Sequence, residues 1–201
     1  DAFIINEIYR QNLASAYFTI DTAYSPDIIS QLKANYGENP IHYVQNLTDY
    51  FANFPSEENT LFLCMDVLEH LENENEILNH LTEKNNYFLF AVPAFQSVFS
   101  NHDVLLGHYR RYNLNQLQQV LKQHNFQIQD KGYYFTSLLL MRWLESLFDK
   151  NKKASIDNWK GSAFKSKLIT SVLQLDFGFT QVLKKFGIRI YGLSCYCICK
   201  K

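Results

Sequence analysis

Leu61-Phe62-Leu63-Cys64-Met65-Asp66-Val67-Leu68-Glu69-His70-Leu71 is the stretch on which the fold turns. Five apolar residues run straight into an acid. With no polar alternation, the run reads as a strand buried on both faces, the mark of a parallel sheet covered by helices. Similar strands lie on either side of it. Ala16–Ile20 ends at Asp21, Ile41–Val44 follows the Asn39-Pro40 break, and Tyr87–Val92 is closed by Pro93. Phe126–Tyr134 and Leu193–Cys199 complete the set. Between them the apolar spacing predicts helices over Ala2–Gln11, onward from Ser25-Pro26-Asp27 with Ser25 as N-cap, and over Glu72–Leu81. Further helices are predicted over Leu114–Gln123 behind Asn113, over Leu138–Phe148 and over Phe164–Leu183, while polar Asn151–Lys160 reads as a loop. Strands alternating with helices from start to finish give an α/β class with a doubly wound, mostly parallel sheet. Nothing in the chain marks a domain boundary, so residues 1–201 read as one domain, with 133–190 a helical insertion within it.

Composition narrows the class. The chain has 201 residues, 47% hydrophobic and 15% aromatic, long enough to bury a core without staples. Nineteen basic and 20 acidic side chains leave a net charge of -1, which excludes a broad electrostatic grip on nucleic acid and, with the apolar content, excludes disorder. Cys195, Cys197 and Cys199 alternate along one apolar segment, so they share one strand face and read as small buried hydrophobes. Metal sites favour CxxC pairs, and none is expected here. Reduced cysteines and an opening that carries Asp1, Glu7 and Arg10 fit a cytoplasmic protein without a signal sequence. The greasiest stretch, Tyr133–Phe148, contains Arg142 and Glu145 and is shorter than the roughly 20 residues of a spanning helix.

In open α/β sheets, ligands sit beyond the carboxyl ends of strands, so the residues just past each strand carry the functional signal. Asp21 is placed to accept both hydroxyls of a ribose, or is a surface turn residue. Gln45-Asn46 is placed to meet an adenine edge, or to form a turn. Asp66 and His70, four residues apart, fall on one side of a helical turn, and His70 is a candidate to bind substrate or take a proton. The densest polar cluster is Ser100-Asn101-His102-Asp103 with Gly107-His108-Tyr109-Arg110-Arg111-Tyr112 close behind it. Its alternative reading is a salt-bridged, solvated loop.

These residues resemble a known family, the class I S-adenosylmethionine-dependent methyltransferases. Asp66-Val67-Leu68-Glu69-His70-Leu71 is similar to its DVLEHL segment, and Tyr17-Phe18-Thr19-Ile20-Asp21 to its second strand with the acidic ribose ligand. Phe90-Ala91-Val92-Pro93-Ala94-Phe95 resembles the fifth strand, and Leu193–Lys201 the last. His102-Asp103 and Gly107-His108-Tyr109-Arg110-Arg111-Tyr112 resemble the HD and GHxRRY elements of one bacterial branch. The resemblance spans nearly the whole chain and implies a seven-stranded-type, Rossmann-like methyltransferase fold. It departs at the start. The family opens with a strand and a GxGxG loop, and Asp1-Ala2-Phe3 is similar to the residues immediately after that loop. The sequence is therefore read as N-terminally incomplete, with the first strand missing. In the family's order that strand is central, so its two neighbours are expected as unpaired edges.

The resemblance further implies S-adenosylmethionine as methyl donor, S-adenosylhomocysteine as product, and in-line transfer to a small-molecule acceptor, with the protein aligning and drying the site. In that reading Asp21 holds the ribose hydroxyls, Thr22 and Ala23 line the adenine pocket, and Asn46 and Leu47 flank the base. Met65, Asp66 and Asp1 serve the methionine end. His70, His102 and His108 bind the acceptor or act as general base. Arg110 and Arg111 clamp an anionic group with Tyr112 beside them, or one of them braces the loop. The apolar Leu138–Phe148 helix and Tyr133-Tyr134-Phe135 suggest a wall for a hydrophobic acceptor, or ordinary core packing. Two other readings are a non-catalytic, methyltransferase-like binding module and a nicotinamide-dependent oxidoreductase. The latter gives no account of DVLEHL or GHxRRY.

Overall fold

The structure, a computed structural model, describes residues 2–54, 60–82, 86–148 and 163–201. Asp1 and the Asn151–Lys160 segment lie outside the described residues. Contacts gather into two compact units, Asp1–Glu57 and Glu58–Lys201.

In the smaller unit, helix α1 (Phe3–Arg10) leads into β1 (Tyr17–Ile20), α2 (Pro26–Tyr36), β2 (Ile41–Val44) and α3 (Leu47–Asn53). β1 and β2 pair in parallel, Tyr17 against Ile41 through Ile20 against Val44. Ala2, Tyr17, Tyr24, Ile41, Val44 and Tyr50 are its buried apolar side chains among the described residues. Ser25 caps α2 as its sequence position predicts, its hydroxyl accepting from the Ile28 N–H ahead of Pro26.

The larger unit holds β3 (Leu61–Met65), a 3₁₀ turn (Leu68–His70), α4 (Asn75–Leu78) and β4 (Tyr87–Pro93). A short α5 (Asn101–Leu105) comes next, then α6 (Leu114–Gln123), β5 (Gln127–Tyr134), α7 (Thr136–Phe148), α8 (Ala163–Lys185) and β6 (Ser194–Lys200). The strand order is β3-β4-β6-β5. β3 and β4 are parallel, whereas β6 runs antiparallel to both β4 and β5. The chain re-enters the sheet beside the ends of β4 and β5, where Leu193 donates to the Phe135 carbonyl and accepts from the Ala94 N–H. From that edge β6 can only run back. Hydropathy does not reveal this reversal, because Ser194–Lys200 is as apolar as a parallel strand.

Cys195, Cys197 and Cys199 sit opposite Val92, Phe90 and Phe88. All six side chains are fully buried. Phe126 packs edge-on against Phe88 and Phe90 at 5.0 and 5.1 Å. Small sulfur side chains leave room for these rings, and Leu117 and Leu121 of α6 complete the layer.

Three helical segments differ from the periodicity. Glu72–Leu81 is not one helix; only the single turn α4 forms within it. Asn73 Oδ1 accepts from the Asn75 N–H, and Glu74 is drawn away to Arg110 and Tyr112, so the segment breaks where a helix would have continued. Conversely, α3 and α5 form where the periodicity predicts none.

Candidate active site

Met65 pairs with Ala91, and Ser194 pairs with both Pro93 and Tyr134. One edge of the larger sheet thus gathers the carboxyl ends of β3, β4 and β5, the position at which ligands enter open α/β sheets. A cleft of about 540 Å³ opens there. Asp66, Glu69 and His70 bound it from behind β3, and His102, His108 and Arg111 from beyond β4. Leu138, Met141 and Arg142 of α7 supply another wall.

Asp66 stands just past β3 with φ 52°, a left-handed conformation that Asp tolerates better than most residues. Its N–H continues the ladder to the Ala91 carbonyl at 2.9 Å. The chain then turns tightly enough to bring Glu69 and His70 to the cleft as well. Gly107, with φ 77°, ends the α5 segment and directs His108 back towards His70. The two imidazoles meet edge to face, centroids 4.6 Å apart.

Asp103 organises this loop. It is fully buried, and its carboxylate accepts from the Ser100 N–H (2.9 Å), the Ser100 hydroxyl (3.1 Å) and Arg111 Nε (2.7 Å). It also bonds His108 Nδ1 at 3.1 Å. Burial works against its ionisation, but the Arg111 guanidinium, the Ser100 N–H and His108 outweigh burial and hold the carboxyl below its usual range. Facing an ionised Asp103, His108 Nδ1 carries a proton and donates it, which turns Nε2 away from the carboxylate. Arg111 also donates to the Ala94 carbonyl at 3.2 Å.

The other GHxRRY residues are engaged elsewhere. Arg110 donates to Glu74 Oε1 and to the Glu72 carbonyl, each at 2.5 Å. Tyr112 is buried and its hydroxyl donates to Glu74 Oε1 at 2.6 Å. These contacts tie the loop to α4. His102 is half-buried on α5 and lines the cleft, while Met65 is held in the sheet.

Glu69 is 0% exposed, and among the described residues neither carboxylate oxygen has a hydrogen-bond partner. Burial pushes its carboxyl up to about 8; the charge of Asp66 adds to the push, and Arg111 opposes it. Burial and the neighbouring His108 lower the pKa of His70, against the pull of the Gly107 carbonyl and Asp66, which favours the neutral imidazole. Sequence reasoning gave Glu69 and Asp103 no role. For Asp103 a signal existed: Ser100-x-x-Asp103 is a capping box, and the structure forms it. For Glu69 there was none beyond its place after β3.

In the smaller unit, Asp21 stands at the carboxyl end of β1, where its Oδ1 accepts from the Ala23 N–H at 2.9 Å. Thr22 and Ala23 are exposed next to it. An oriented carboxylate in this position fits a ribose. Asn46 fits a base less well: its Oδ1 accepts from the Asp49 N–H and its Nδ2 donates to the Asp49 carboxylate, so the side chain is spent as the cap of α3. Leu47 is half-buried in the first turn of that helix.

No protein-family profile matches the chain, and no curated protein matches it. Solved structures do. A candidate methyltransferase from Bacillus halodurans superposes with a TM-score of 0.52 at 14% identity, covering 100% of this chain and 88% of that one. An S-adenosylmethionine-dependent methyltransferase from Archaeoglobus fulgidus gives 0.48 at 14% identity, covering 100% and 95%. With its strands and helices in this order, the chain has the fold of the class I methyltransferases.

Proposed function

We propose that the chain transfers the methyl group of S-adenosylmethionine to a small-molecule acceptor held in the cleft of the larger unit. The observation that carries this reading is the pair His70–His108, fixed by buried Asp103, at the carboxyl edge of a sheet with the methyltransferase fold. The antiparallel β6 between β4 and β5 supports it over a nicotinamide-dependent oxidoreductase, whose sheet is parallel in its common form.

Within the smaller unit, Asp21 would hold the ribose of the cofactor, and Thr22, Ala23 and Leu47 its base. When bound, the cofactor supplies an electrophilic methyl on a cationic sulfonium. The chain's own residues do the rest. His70 and His108 anchor the polar group of the acceptor, and Asp103 keeps His108 in one tautomer. His102 takes the proton that an acceptor hydroxyl or amine gives up. Leu138 and Met141 present an apolar wall that excludes water and suits a hydrophobic acceptor. Arg110 and Arg111 brace the loop, which leaves an anionic clamp the weaker expectation.

Calorimetric titration with S-adenosylhomocysteine tests the reading. Micromolar binding is expected, and Asp21→Ala should weaken it by roughly 1–3 kcal/mol, the range for a lost charged hydrogen bond. His108→Ala should leave that affinity unchanged and reduce turnover of the acceptor. Absence of binding to the folded chain would overturn the proposal.

A further inference from the structure

We propose that Glu69, His70 and His108 form a binding site for one divalent transition-metal cation of the zinc class. One ligand atom from each of the three residues lies within 4.8 Å of the others. Bonds of about 2.1 Å to a tetrahedral ion require donors roughly 3.4 Å apart. His70, the most exposed of the three, is the side chain with room to move towards that spacing.

A second observation points to a cation independently. Glu69 lies at the cleft wall, wholly buried, with both carboxylate oxygens unpartnered among the described residues. A buried polar group without a partner is costly, and native structures rarely leave one unexplained. Other buried polar groups nearby are satisfied: Asp103 by four donors, Arg111 by Asp103 and the Ala94 carbonyl, Tyr112 by Glu74. Glu69 stands apart from them: Asp66 adds a second negative charge beside it, and Arg111, the cation that acts on it, spends its hydrogen bonds on Asp103 and the Ala94 carbonyl. A cation is the partner that satisfies a carboxylate and two imidazole lone pairs at once.

The donor chemistry selects the ion. Two imidazoles and one carboxylate suit borderline first-row divalent ions, whereas magnesium and calcium prefer oxygen throughout. The surroundings have the form of a metal site's outer shell. His108 Nδ1 bonds Asp103, which Arg111 in turn holds, so that Nε2 remains the donor nitrogen. Three protein donors leave coordination positions open to the cleft. An acceptor oxygen would occupy one of them, a consequence that rests on the methyl-transfer reading; the site itself does not. Sequence spacing hides the set, because 38 residues separate His70 from His108 and no Cys takes part.

The test is a titration of chelator-stripped full-length protein with Co²⁺, monitored by its visible absorption, and with Zn²⁺ by calorimetry. One ion per chain is expected, with Glu69→Gln and His70→Asn each weakening affinity at least about 10-fold. His102→Ala, in the same cleft but outside the set, should bind as the parent does. Melting curves check that each variant folds, and the exposed His70 provides a variant that does not disturb the core. No saturable uptake, or uptake that Glu69→Gln and His70→Asn leave as tight as in the parent, overturns the proposal. Neither readout needs a methyl donor or acceptor, so failure here is distinct from failure of the methyltransferase reading.

Discussion

Removing the Asp103 carboxylate would strand the Arg111 guanidinium in a site where only 7% of that residue is exposed. Breaking one side of a buried ion pair commonly costs about 3–5 kcal/mol, and Asp103→Asn should lose about that much in urea denaturation at pH 7. The pH dependence has a definite sign. The folded pKa of Asp103 lies below the ordinary 3.8, so its contribution is present above about pH 4 and disappears as pH falls through the lower folded value. Acid unfolding of the parent should therefore steepen below about pH 4, and Asp103→Asn should flatten that limb. A parent curve with no acid limb would argue against the pair. Glu74 makes a useful contrast. It is also held low, by Tyr112 and Arg110 against its burial. Its partner Arg110 is nearly one-third exposed, so Glu74→Gln should cost closer to 1 kcal/mol.

At the scale of elements, the start of β6 is the most constrained point. A Cβ on Gly192 would lie 2.1 Å from the Tyr134 carbonyl oxygen, in backbone that a rotamer change cannot move. Gly192→Ala should destabilise the protein by about 3 kcal/mol, the upper part of the usual overpacking range. Gly178 in α8 is the opposite case, with open space where a Cβ would stand. There Ala should be neutral or gain up to about 1 kcal/mol from helix propensity. Equal melting temperatures for the two variants would sink this account. Capping chemistry explains which helices could be read in advance. α2 behind Ser25 and α6 behind Asn113 carry side chains that bond the first turn, and both form as predicted. Asn46 carries the same chemistry, yet its place after β2 suggested a base contact; the structure makes it the cap of α3. The Glu72–Leu81 helix failed for a tertiary reason, since Glu74 bonds residues 36 and 38 positions away.

For the molecule as a whole, the sheet of the larger unit controls access to all four thiols. Cys64 lies in β3 and the other three in β6, all of them buried. Burial pushes each thiol up to about 12, and only thiolates react quickly. A disulfide reagent should therefore label the native protein very slowly and all four cysteines at once in guanidinium, with the native rate tracking unfolding of the sheet. Fast labelling of any one thiol without denaturant would show that its strand opens by itself. The same unit exposes large apolar side chains on α7 and α8, including Met141 and Leu175. Among the described residues no helix is long and apolar enough to cross a membrane.

By itself the sequence determined the α/β class, the six strand positions, the Ser25 and Asn113 caps and the shared burial of Cys195, Cys197 and Cys199. Each of these rests on local periodicity or on a bond spanning three or four residues, and such signals survive without knowledge of the fold. Tertiary structure alone decided the reversal of β6, the service of Arg110 and Tyr112 to Glu74, and the meeting of His70 with His108. It also left Glu69 buried with no hydrogen-bond partner among the described residues. Those outcomes join positions tens of residues apart, and which of them meet depends on how the strands are ordered, a property that no local pattern of residues encodes.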